Sequence, residues 1–214
     1  MRRFSRIAFC LFTALLLASF ATAQQDVITT AIGGGPNQIP AIDADIYLPI
    51  SVAFDGSGNY YIAAFYQNRV FKVDTTGTIT VVAGIGIAGF GGDGVAGGAT
   101  QAMLNGPAGV AIDGAGNIYI SDYNNFVIRK VDATNTITTI AGQPGSCGYN
   151  GDGKPATNFS LCHPYGLALD SLGNLFIGDG GNCRVRKLVL ATKTIATSAG
   201  TCQPMRLCTG SAWM

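Results

Sequence analysis

Two glycine-rich stretches hold an aspartate in the same setting: Gly89-Phe-Gly-Gly-Asp-Gly94 and Gly148-Tyr-Asn-Gly-Asp-Gly153. Each is followed by Ala-Thr-x-x-x-Leu, as Ala99 to Leu104 and Ala156 to Leu161. An aspartate between glycines can fold back on backbone amides as an Asx turn, or offer oxygen ligands to calcium. Asp93 and Asp152 are therefore the first candidate ligand-binding residues. Asp122 and Asp179, with Asn125 and Asn182 three residues on, form a second recurring set. They suit either backbone capping at a strand end or a polar rim around a ligand. Calcium is the one cofactor these oxygens suggest, although no EF-hand spacing is present.

Catalytic sets are scarce. All 12 acidic residues are aspartate, and the one histidine is His163. A metal site of several histidines, or of histidine with glutamate, cannot be assembled from these residues. No Gly-x-Ser-x-Gly elbow is present, and Cys183 has no base nearby in sequence. Gly84 to Gly89 resembles a dinucleotide fingerprint only faintly, since no helical pattern follows. No catalytic residue is assigned.

The positioning elements follow from a repeat. Pro49-Ile-Ser-Val-Ala-Phe-Asp55 returns as Pro107-Ala-Gly-Val-Ala-Ile-Asp113 and as Pro164-Tyr-Gly-Leu-Ala-Leu-Asp170, at spacings of 58 and 57. The copies stay in step through Gly58 to Ile62, Gly116 to Ile120 and Gly173 to Ile177. They continue through Arg69 to Asp74, Val127 to Asp132 and Arg184 to Leu188, then Thr78 to Gly84, Thr136 to Gly142 and, less cleanly, Thr194 to Gly200. Each copy thus holds four short runs rich in Val, Ile, Tyr and Phe, joined by Asp/Gly/Asn turns, which predicts four antiparallel strands. Repeated four-stranded units predict an all-β propeller.

At these residues the chain resembles the NHL repeat over about residues 27–200. The resemblance implies four-stranded blades of a ring that usually has six. Three full repeats are expected (about 49–106, 107–163 and 164–200), with Val27 to Gly33 as the last strand of a preceding blade. Three blades leave a half-ring open, which is expected of a fragment of a longer protein; alternatively a second copy could close it as a homodimer, or the chain could form another small assembly. The resemblance implies a fold more than an activity. The leading expectation is a non-catalytic binding or interaction module for a protein, small-molecule or glycan ligand. The alternatives are part of a metal-dependent propeller lyase or lactonase whose ligands lie in other blades, or an extracellular sensor or structural domain.

Strand alternation places the loops Ala63 to Asn68, Ser121 to Asn125 and Gly178 to Asn182 on the same face as the linkers Gly84 to Gly106 and Gly142 to His163. Linkers this long suggest function. Phe90 and Tyr149 are expected to plug the grooves between blades. Arg129 with Lys130, and Arg184 with Arg186 and Lys187, read as solvated outer-strand charge.

Arg2, Arg3 and Arg6, an apolar run from Ile7 to Phe20 and Ala21-Thr22-Ala23 read as a signal peptide over residues 1–23. The expected location is secreted or periplasmic, with no membrane span once the signal is removed. The mature chain would hold 10 cations against 12 aspartates, a net charge of −2, which argues against nucleic acid as a partner. Export allows disulfides: Cys147 with Cys162, and Cys202 with Cys208, leaving Cys183 spare. Residues 201–214 leave the repeat pattern and read as an irregular tail.

Overall fold

The computed structural model describes residues 36–202. The expected signal peptide and the strand at 27–33 lie outside them, as does Cys208.

Three antiparallel sheets correspond to the three repeats. Blade 1 holds β1 (Ile39–Pro40), β2 (Pro49–Phe54), β3 (Tyr60–Ala64), β4 (Arg69–Val73) and β5 (Thr78–Ala83), in the order β1-β5-β4-β3-β2. Blade 2 is a meander of β6 (Pro107–Ile112), β7 (Ile118–Asp122), β8 (Val127–Val131) and β9 (Ile137–Gly142). Blade 3 repeats it with β10 (Pro164–Leu169), β11 (Asn174–Asp179), β12 (Arg184–Val189) and β13 (Thr194–Ala199). The two-residue β1, pairing with the outer edge of blade 1, was not anticipated from the repeat.

One aspartate organises the first turn of every blade. Asp55 accepts the amides of Ser57 and Asn59 and the side-chain amide of Asn59. Asp113 and Asp170 do the same for their own turns. The glycine one residue before each asparagine, Gly58, Gly116 or Gly173, has φ between +77° and +86°, a region that costs a residue bearing Cβ.

The cores lie between blades, and the linkers fill them. Ala99, Ala102 and Leu104 from the first linker join Val70 and Ala83 of blade 1 and Val110, Ile120 and Ile137 of blade 2. Ala156, Phe159 and Leu161 do the same between blades 2 and 3. The first strand of blade 2, β6, contacts both β2 and β10, and five of its six residues are buried. The strands β2 and β10 have similar apolar sequences but several exposed residues, including Val52, Phe54 and Tyr165.

Candidate functional site

The recurring aspartates converge on arginine rather than on solvent. Asp122 ends β7, and its fully buried side chain lies 3.3 Å from Arg129 Nη1. Arg129 sits on β8, also with no exposure, and its Nη2 lies 2.5 Å from Asp93 Oδ1 of the linker. The other Asp93 oxygen accepts from the amide and hydroxyl of Thr139 on β9. Asp122 further accepts the Asn105 amide at 2.7 Å and the Asn125 side-chain amide at 2.8 Å. Blade 3 builds the same cluster: Arg186 bridges Asp152 at 2.5 Å and Asp179 at 3.4 Å. Asp152 holds the Thr197 amide and hydroxyl, and Asp179 holds the Cys162 amide and Asn182.

This arrangement corrects two expectations. Arg129 and Arg186 are not solvated outer-strand charges; they are the largest fully buried side chains. Spacing along a strand shows which residues share a face, but not that a linker folds over that face. Phe90 and Tyr149 do not plug a groove; each lies on a guanidinium, Phe90 at 4.9 Å from Arg129 and Tyr149 at 3.9 Å from Arg184. The six candidate ligand residues Asp93, Asp152, Asp122, Asp179, Asn125 and Asn182 are brought together as two linker-to-blade latches. They do not fit calcium, because a guanidinium already occupies the space between the paired carboxylates and would repel a dication.

Burial shapes the electrostatics. Desolvation raises the Asp122 pKa from 3.8 to about 6, against the pull of Asn125, the Asn105 amide and Arg129. It raises Asp179 as well, and lowers the Arg186 pKa. The Nε atoms of both arginines have no hydrogen-bond partner.

Blade 1 lacks the cluster and replaces every part of it. Counting back by the repeat, Ala64 stands for Asp122, Phe71 for Arg129 and Val81 for Thr139. Ala64 and Phe71 are fully buried. The Val81 amide is taken by Asn37 Oδ1 at 3.0 Å, the bond Asp93 makes in blade 2. Gln67 accepts the Tyr47 amide at 3.2 Å, as Asp122 accepts that of Asn105, and donates to the Asp45 carbonyl, as Arg129 donates to that of Met103. Ala41, Ala44 and Ile46, packed under blade 1, match the Ala-x-x-x-x-Leu frame of the later linkers. That third linker copy was readable in sequence at the same spacing, once Ile is allowed for Leu and Thr is not required.

Rings form a second feature on the linker face. Phe65 meets Tyr66 and Tyr123 at 5.4 and 5.6 Å; Tyr123 meets His163 at 4.6 Å and Tyr165 at 5.8 Å. Tyr66 and Tyr165 are exposed, and the other three are half-buried. Consecutive blades therefore contribute to one continuous row. The sequence places Phe65, Tyr66 and Tyr123 in loops of the linker face and His163 at the end of a linker, without the contact that joins them.

Cys147 and Cys162 are disulfide-bonded, as expected, closing the second linker. Cys183, expected as the spare thiol, instead has Cys202 beside it, with sulfurs 2.7 Å apart.

The NHL repeat model matches residues 104–130 and 161–188. These windows hold Asp122, Asn125 and Arg129, and Asp179, Asn182 and Arg186. NHL repeats are thus matched in blades 2 and 3 of this chain. A stretch of 100 residues is 37% identical to Protein SUPPRESSOR OF QUENCHING 1, chloroplastic, of Arabidopsis thaliana, covering 46% of this chain and 9% of that protein. A stretch of 138 residues is 34% identical to Teneurin-1 of Gallus gallus, covering 55% and 5%. Among solved structures, an auxiliary nutrient binding protein from Bacteroides thetaiotaomicron superposes with a TM-score of 0.53 at 26% identity, over 69% of this chain and 37% of that one. The chain thus spans less than a tenth of the curated relatives and little more than a third of that solved propeller.

Proposed function

We propose that this NHL propeller segment is a secreted, non-catalytic binding module that holds its ligand along the ring row of the linker face. The row itself carries the reading. Phe65, Tyr66, Tyr123, His163 and Tyr165 present apolar faces beside the exposed amide group of Asn124. Rings with nearby amides suit a neutral ligand that has flat apolar faces and hydroxyl edges, as a saccharide has. The carboxylates that could have served acid–base or metal chemistry are paired inside the latches. Among the described residues, the one cluster of metal-ligating types is Cys147, Cys162 and His163, and its two sulfurs are bonded to each other. The nutrient-binding relative supports a binding role and is compatible with export.

Isothermal titration of the chain with neutral oligosaccharides tests this reading. Saturable binding that falls at least tenfold in Tyr123→Ala and Tyr165→Ala is expected. No saturable binding, or turnover of a lactone substrate by the metal-loaded chain, overturns it. Light scattering on the same sample tests whether a second copy closes the ring.

A further inference from the structure

We propose that Cys183 and Cys202 form a second disulfide, which staples the chain leaving blade 3 to the loop between its second and third strands. Their sulfurs lie 2.7 Å apart, inside the contact distance of two unbonded sulfurs. Both residues are exposed, so an oxidant can reach them.

The position of Cys183 supplies an independent reason. It holds a left-handed backbone site, φ 51°, shared at the repeat spacing by Asn68 (φ 50°) and Phe126 (φ 60°). In each blade this residue's carbonyl lies where a Cβ on the closing glycine, Gly84, Gly142 or Gly200, would collide. In each earlier blade its side chain also fastens the blade to the end of the following linker. The Asn68 side chain accepts the Gly106 amide at 2.9 Å. The Phe126 ring packs on His163 at 5.0 Å. Cys183 reaches Cys202, two residues past Gly200. An amide hydrogen bond, a ring contact and a sulfur pair thus occupy one structural role. The staple encloses β12 and β13, and β13 is an edge strand with four of six residues exposed. Such an edge benefits from being tied down.

The bond forms by exchange with a disulfide-bearing oxidant, such as oxidised glutathione or an exported dithiol oxidase. One cysteine thiolate attacks the oxidant's disulfide, forming a mixed disulfide and releasing one oxidant thiolate. The second cysteine thiolate attacks the protein sulfur of that mixed disulfide and releases the other. The two cysteines lose two electrons, the oxidant gains them, and the two thiol protons end on the oxidant's sulfurs.

Peptide mapping decides the matter. The full chain is treated with oxidised glutathione, alkylated and digested with trypsin without reduction. Cys202 falls in the peptide 194–206, Cys208 in 207–214, and Cys183 in the peptide ending at Arg184. The peptide 194–206 is expected joined to the one ending at Arg184. The join should vanish in Cys183→Ser and survive in Cys208→Ser. Recovery of 194–206 joined to 207–214, or with Cys202 alkylated, overturns the proposal.

Discussion

Blades 1 and 2 solve one problem with opposite chemistry. Each must hold a linker over its third and fourth strands and cap a backbone amide at the end of its second. Blade 2 uses a buried arginine between two aspartates. Blade 1 uses Phe71, Ala64, Val81, Asn37 and Gln67, with no charge. The substitutions are concerted because a partial set is costly: an arginine buried without its carboxylates leaves an uncompensated charge, whereas replacing the whole group with apolar residues can be close to neutral. The latch is thus architecture, and its charge is one of two workable answers.

Breaking the charged set in part gives the largest effect. Asp122→Ala should remove the buried one of Arg129's two carboxylates and the acceptor of the Asn105 amide and Asn125 side chain, and cost about 3–5 kcal/mol, seen as a lowered denaturant midpoint. Ala64→Asp should approach that cost in blade 1, since no guanidinium awaits it. Rebuilding blade 2 in the image of blade 1, with Asp93→Asn, Asp122→Ala, Asn125→Gln, Arg129→Phe and Thr139→Val together, should cost far less than the sum of the single changes. A coupling energy on the order of 0.5–3 kcal/mol per contacting pair is expected from mutant cycles. Additive losses would refute the concerted account.

Asp93→Ala should have a smaller effect, about 1–3 kcal/mol, because its side chain is one-third exposed. Amide exchange should rise mainly over residues 84–106. A pH titration sharpens the comparison further. The folded Asp122 pKa of about 6 lies above its ordinary 3.8, so the folded chain binds that proton more tightly than the unfolded one. This group's contribution is full below about pH 4 and is lost as pH rises towards 6. The slope should shrink in Asp122→Asn, leaving the part that the raised Asp179 contributes. The turn aspartates Asp55, Asp74, Asp113, Asp132 and Asp170 are held low by side-chain and backbone hydrogen bonds. Their stabilisation is lost on the other side, as pH falls below about 4. Val81→Thr, on the neutral blade, should change stability by no more than about 0.5 kcal/mol.

The amino-acid sequence determined the repeats, the four-stranded blades, the turn aspartates and the pairing of Cys147 with Cys162. These depend on local periodicity, turn chemistry and a closed loop, which a linear string displays. It also singled out Asp93, Asp122 and their counterparts, but not what they do. Tertiary structure decided that, because the linker crosses back over the blade that follows it and brings Asp93 to Arg129, 36 residues away. Folding likewise drew Phe65, Tyr123, His163 and Tyr165 into one row, and set Cys202 against Cys183 across 19 residues. Spacing marks which residues recur; only the path of the chain in space decides which of them meet.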